Sequence, residues 1–173
     1  MRLIPTFRCV ACLSMALTAL AVAAPLRAED KVELQVVKMD ALESAIAQHK
    51  AKIVVVDFWA TFCIPCKAEF PNLVKLHKEQ AKDGVVCISV TVDDPDDKAV
   101  ALKFLTQKKA TFENFLLDEP AEKYQKKWGF TSVPTVLIYS RDGKLVKKFN
   151  GDKPENVFTY KDVRKLVDEL LRK

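Results

Sequence analysis

With 173 residues, 49% of them hydrophobic and 29% charged, the chain has the size and balance of one globular domain, which excludes a disordered tail or a repeat array. Its formal net charge of +5 is not carried by a basic block. Lys108–Lys109, Lys126–Lys127 and Lys147–Lys148 are doublets mixed with acids, so no nucleic-acid surface is expected.

Met1 to Ala28 contain Arg2, Arg8 and Arg27 and no acid, and the run from Val10 to Ala24 is apolar. A positive start, a greasy stretch short for a membrane span and small residues before a cut define residues 1–28 as a secretory leader, cleaved after Ala23 or Ala28. A retained membrane anchor is the alternative. Without the leader's three arginines, 25 basic residues face 23 acidic ones, a net charge of about +2. Cys9 and Cys12 leave with it, so residues 29–173 form a single domain holding Cys63, Cys66 and Cys87. Three cysteines, two of them in a C-x-x-C, make a reactive pair rather than a disulfide framework.

Along that domain, Asp40 and Glu43 suggest a capping box for a helix from about Ala41 to His49, with Met39, Leu42 and Ile46 at helical spacing. Ile53 to Phe58 is a β-branched run for a strand covered on both faces. A helix from Ile64 to Lys82 follows, with Pro71 inside it. Val85 to Val92 reads as a second strand, and Lys98 to Lys108 as a helix with Val100, Phe104 and Leu105 on one side. Phe112 to Leu117 is a third strand, and Ala121 to Lys127 a short helix stopped by Gly129. Asp142-Gly143 between Thr135–Tyr139 and Leu145–Phe149 signals an antiparallel hairpin. Val163, Leu166, Val167, Leu170 and Leu171 form the stripe of a last helix behind a Thr159 cap. These elements add up to an α/β sandwich with a mixed sheet.

The C-x-x-C falls where the first buried strand ends and a helix begins. Backbone N–H groups and the helix dipole favour a thiolate on Cys63, the attacking species, and Cys66, one turn on, lies within disulfide reach as a shielded resolving thiol. Structural zinc needs four ligands; Cys87, His49 and His77 offer no second paired motif, so no metal is expected. Cys87, inside Val85-Val86-Cys87-Ile88, reads as a core cysteine, and His49 and His77 as surface or helix-flank residues.

Val56-Asp57-Phe58-Trp59-Ala60, Cys63-Ile64-Pro65-Cys66 and Ser132-Val133-Pro134-Thr135 resemble the thioredoxin superfamily. Trp59-Ala60-Thr61-Phe62-Cys63 and Cys66-Lys67-Ala68-Glu69-Phe70-Pro71 are most similar to its extracytoplasmic TlpA/ResA-type branch. The resemblance implies a thioredoxin-like three-layer sandwich, a mixed central sheet flanked by helices, with that branch's extra strand–helix insertion ahead of Pro134. It implies that Pro134 is cis and faces the dithiol, leaving the Val133 backbone to pair with an extended substrate, and that Asp57 exchanges a proton with Cys66 through a carboxyl whose pKa is raised by desolvation. A lysine that thioredoxin places beside this acid is matched here by Ser89, and an acid after the second strand by Asp93 or Asp94. Trp59, Phe62, Ile64 and Pro65 complete the expected substrate-binding surface, with core packing an equal reading for Trp59.

The function implied is a periplasmic or otherwise extracytoplasmic thiol–disulfide oxidoreductase, reducing disulfides of exported proteins through Cys63 and Cys66 with electrons from an upstream thiol donor and no cofactor. Neither imidazole nor charge lies between the cysteines, which favours a reductant. Membrane contact requires a retained leader, and nothing demands more than a monomer. The alternatives are a dithiol oxidase and a redox-inactive binding or chaperone module; a peroxidase fits less well, since no Pro and Thr pattern of the peroxiredoxin kind precedes Cys63.

Overall fold

Seven consecutive buried residues, Ile53 to Trp59, form the strand around which the molecule is built. In the computed structural model, which describes residues 31–151 and 157–173, the chain order is β1 (Gln35–Val37), α1 (Met39–Gln48), β2 (Ile53–Trp59), α2 (Ile64–Gln80), β3 (Val85–Thr91), α3 (Lys98–Lys108), β4 (Glu113–Leu117), α4 (Ala121–Trp128), β5 (Thr135–Tyr139), β6 (Leu145–Asn150) and α5 (Tyr160–Leu171). The expected leader, 1–28, and its cleavage positions lie outside the described residues.

The six strands run in the order β1-β4-β3-β2-β5-β6. The first four are parallel; β5 runs against β2, and β6, antiparallel to β5, returns to the direction of the first four. Because side chains alternate along a strand, Val54, Val56 and Phe58 enter one core, with Leu42 and Ile46 of α1 and Tyr124 and Trp128 of α4. Ile53, Val55 and Trp59 enter the other, with Phe70 of α2, Leu105 of α3 and Val163 of α5. The expected three-layer sandwich with a mixed sheet follows, and α3 with β4 is the insertion between β3 and β5. Gly129 closes α4 at a φ of 64°, left-handed backbone that suits glycine.

Three local expectations are corrected. The Asp40–Glu43 capping box does not form: α1 begins at Met39 behind Lys38, with no side-chain cap. Glu119, just ahead of α4, accepts the Met39 N–H at 3.3 Å, so a tertiary contact satisfies the helix end. In α3, Val100 points outward, and the buried positions are Ala101 and Leu105. The small Ala101 shares a face with Phe104 and Leu105, so it is this stripe that meets the core. Third, β1 has no counterpart among the predicted strands; its three residues pair with β4. At the other end of the chain, Thr159 and Asp162 form the capping box of α5.

Candidate active site

Cys63 stands at the turn from the carboxyl end of β2 into α2. It is the N-cap of α2, in extended conformation, and its Sγ accepts the Cys66 N–H at 3.3 Å. Pro65 sits in the first turn, where no intrahelical donor is lost. Cys63 and Cys66 are joined by a disulfide, with Cα atoms 5.3 Å apart, so one helical turn brings both sulfurs into bonding reach. Both cysteines are buried, at 7% and 4% exposure, whereas their neighbours Phe62 and Ile64 are 74% and 76% exposed. The pair is thus a nearly covered disulfide ringed by exposed apolar side chains. On reduction, the amide that meets Cys63 Sγ and the positive end of α2 favour a thiolate there.

Alternation along β2 turns Asp57 toward the α2 and α5 side of the sheet. It is only 4% exposed. It lines an apolar-walled cavity of about 200 Å³ together with Cys66, Pro65, Glu69, Pro134 and Tyr160. Burial raises its pKa to about 7; the hydrogen bond from Tyr160 opposes that rise, and the nearby Glu69 charge adds to it. The bond in question runs from the Tyr160 hydroxyl to Asp57 Oδ2 at 2.5 Å. Ser89 is the register partner of Asp57 on β3, but its hydroxyl donates to Asn114 Oδ1 at 2.8 Å instead. Cys87 lies in the same core as the dithiol, unbonded, and burial followed by the charge of Asp57 pushes its thiol pKa up.

The two candidate acids after β3 part ways. Asp94 accepts the Asp96 N–H at 3.0 Å and starts an exposed 3-10 turn, Pro95–Asp97. Asp93 is buried at 4% exposure and grips the loop that leads to Cys63. Its carboxylate accepts the Thr61 N–H at 2.9 and 3.0 Å, the Thr61 hydroxyl at 2.8 Å and the Thr91 hydroxyl at 2.5 Å.

Of the expected substrate-binding residues, Trp59 is corrected. It has 0% exposure and packs against Phe70 and Phe104, because alternation turns the last residue of β2 into the core. Phe62 and Val133 line a recess of about 300 Å³ together with Tyr124, Phe130 and Ser132. The Val133–Pro134 peptide is cis. The β2–β5 ladder ends at Phe58 and Thr135, which leaves Val133 outside it. His49 bonds Glu113 at 2.9 Å, and the His77 ring meets that of Phe112 at a tilt of 60°, both away from the dithiol.

Tyr160 is the site residue that sequence reasoning missed. Counting back three residues from Val163 places it on the inward stripe of α5, and a buried phenol needs a hydrogen-bond partner. That count, set beside an acid in β2 with no cation opposite it, was the signal.

Comparison with known proteins agrees with this geometry. The AhpC/TSA family model matches residues 24–148. The chain is 32% identical over 120 residues to the thiol:disulfide interchange protein HelX of Rhodobacter capsulatus, covering 69% of this chain and 61% of that protein. It is 30% identical over 108 residues to the thiol-disulfide oxidoreductase ResA of Bacillus thuringiensis, covering 62% and 60%. The match therefore spans about 60% of the length of these curated relatives. Among solved structures, the exposed lipoprotein thioredoxin of Streptococcus pneumoniae superposes with a TM-score of 0.54 at 26% identity, covering 72% of this chain and 90% of that one.

Proposed function

The chain belongs to the AhpC/TSA family, and from that premise we propose that it is a thiol–disulfide oxidoreductase that reduces disulfides in exported proteins. The observation that carries the proposal is the Cys63–Cys66 disulfide at the start of α2, sharing a cavity with the buried carboxyl of Asp57. The names of the relatives HelX and ResA support the same chemistry.

In the proposed cycle the Cys63 thiolate attacks one sulfur of a partner's disulfide. That bond breaks, the partner's second sulfur leaves as a thiolate and takes a proton, and a mixed disulfide joins Cys63 to the partner. The Cys66 thiol then passes its proton to the Asp57 carboxylate, and its sulfur attacks Cys63 Sγ. The partner leaves with both sulfurs reduced, and the Cys63–Cys66 disulfide remains. Two electrons from an upstream dithiol donor restore the starting state. Phe62, Ile64, Pro65 and Val133 form the rim on which the partner docks, with Pro134 facing the reacting sulfurs. The leader expected at residues 1–28 supports a site of action outside the cytoplasm; no described helix is long and apolar enough to cross a membrane.

The test is the reduction potential of Cys63–Cys66, equilibrated against glutathione or dithiothreitol and read by Trp fluorescence in a Cys87→Ala background. A value near about −270 mV is expected of a reductase, whereas one near about −120 mV would make the protein an oxidant of thiols. Cys66→Ser should trap the mixed disulfide with a partner, and Cys63→Ser should abolish exchange; a chain that works without Cys63 is a binding module instead.

A further inference from the structure

Tyr160 makes two bonds that the exchange reaction as written does not use. It opens α5 and is 6% exposed. Its hydroxyl donates to Asp57 Oδ2 at 2.5 Å, and its backbone N–H donates to Glu69 Oε2 at 3.1 Å. One residue of the last helix thus holds two carboxyl groups, one from the central strand and one from the helix that carries the dithiol. All three line the cavity that contains Cys66. Glu69 and Tyr160 also line a charged groove of about 690 Å³ between α2 and α5, with Lys75, Glu79 and Arg164. They form the partition between the cavity and that groove.

We propose that Tyr160 is a positioning residue of the dithiol site: its phenol clamps the Asp57 carboxyl in the wall of the Cys66 cavity and keeps that group able to take the Cys66 proton. This rests on the reading of Asp57 as the proton acceptor.

The groups that face Asp57 are Cys66 and Glu69 from α2, Cys87 and Ser89 from β3, Val136 from β5 and Tyr160 from α5. Ser89 donates elsewhere, Val136 is apolar, and no Lys or Arg pairs with Asp57 among the described residues. Burial and the Glu69 charge both favour the protonated acid, and the phenol is the group that opposes them. Burial beside Asp57 raises the phenol's own pKa well above its ordinary value, so Tyr160 stays a donor throughout the working range. Without that donor, Asp57 holds its proton at neutral pH and cannot accept another from Cys66. The phenol exchanges no proton itself; the thiol proton moves to Asp57, the Cys66–Cys63 bond forms and the bond to the partner breaks.

The experiment compares the oxidised protein with Tyr160→Phe, reading the Asp57 carboxyl inflection by carbon-13 NMR, with Asp57→Asn to assign the signal. The inflection is expected to rise by about one pH unit or more in the variant. Release of a mixed disulfide preformed on Cys63 should slow about tenfold at neutral pH, with its rising limb displaced equally. Cys63 attack on a small disulfide should be unchanged. An inflection that stays in place in Tyr160→Phe overturns the inference. Should that variant not fold, the Tyr160 hydroxyl proton of the unaltered protein serves instead: it should shift with the Asp57 inflection, and a signal indifferent to it overturns the clamp. The Cys66→Ser trap decides the exchange reading separately, since trapping does not depend on where Asp57 titrates.

Discussion

A carboxyl group set into a fully buried strand costs free energy whenever it is ionised, and Asp57 makes that cost visible as a pH dependence of stability. Its pKa rises from 3.8 to about 7 on folding. Below the unfolded value both states are protonated; between there and about pH 7 the folded chain holds a proton that the unfolded chain has lost, so stability falls as pH rises through this window. The decline should total roughly 4 kcal/mol. Asp57→Asn is expected to remove it and to be the more stable protein at about pH 8, as urea unfolding across pH would show. A decline that survives the substitution would place the titrating group elsewhere. The dithiol and Asp57 were legible as residues because their types are improbable where they stand, a C-x-x-C at a strand–helix junction and an acid among valines. Tyr160 was not, since its partner lies 103 positions away in sequence and no local pattern joins a phenol to a distant acid.

At the scale of elements, the start of α2 is held from two sides. Within the helix, Cys63 caps it; from outside, Asp93 anchors Thr61 two residues earlier and ties that loop to the end of β3. Asp93→Ala strands the half-buried donors on Thr61 and the buried hydroxyl of Thr91, which should cost about 1–3 kcal/mol and speed hydrogen exchange at the Thr61 amide. A substitution with neither effect would mean that the Asp93 carboxylate does not hold this loop in place. Element type was read well where periodicity was long: β2, α2, α3, the β5–β6 hairpin and α5 were all foreseen. It failed where a tertiary partner did the local work. Glu119 replaced the cap expected from Asp40 and Glu43, and β1 is a strand only because β4 lies beside it.

At the scale of the molecule, the sandwich presents a covered disulfide amid exposed apolar side chains, with Phe62 and Ile64 on either side of Cys63 and Val157 exposed beside the Asp57 cavity. Such a rim serves a macromolecular partner better than a small one. Replacing Phe62 and Ile64 together with serine should lower kcat/KM for a protein disulfide by about tenfold or more while sparing a small-molecule disulfide; equal losses on both would mean that the substitutions disturb the sulfurs themselves. The layers were legible from the alternation of strands and helices, but which aromatics face solvent was not. Trp59 and Phe62 are three residues apart, and only the path of the chain out of β2 separates core from rim.

The sulfur that caps α2 is also the sulfur that carries the electrons. Folding and reduction therefore close a thermodynamic cycle: the difference in unfolding free energy between the disulfide and dithiol forms equals the difference between the pair's potentials in the folded and unfolded chain, about 1.4 kcal/mol for every 30 mV. A pair of denaturant titrations, one on each form, consequently works as a voltmeter, and any change to the first turn of α2 that moves one quantity must move the other.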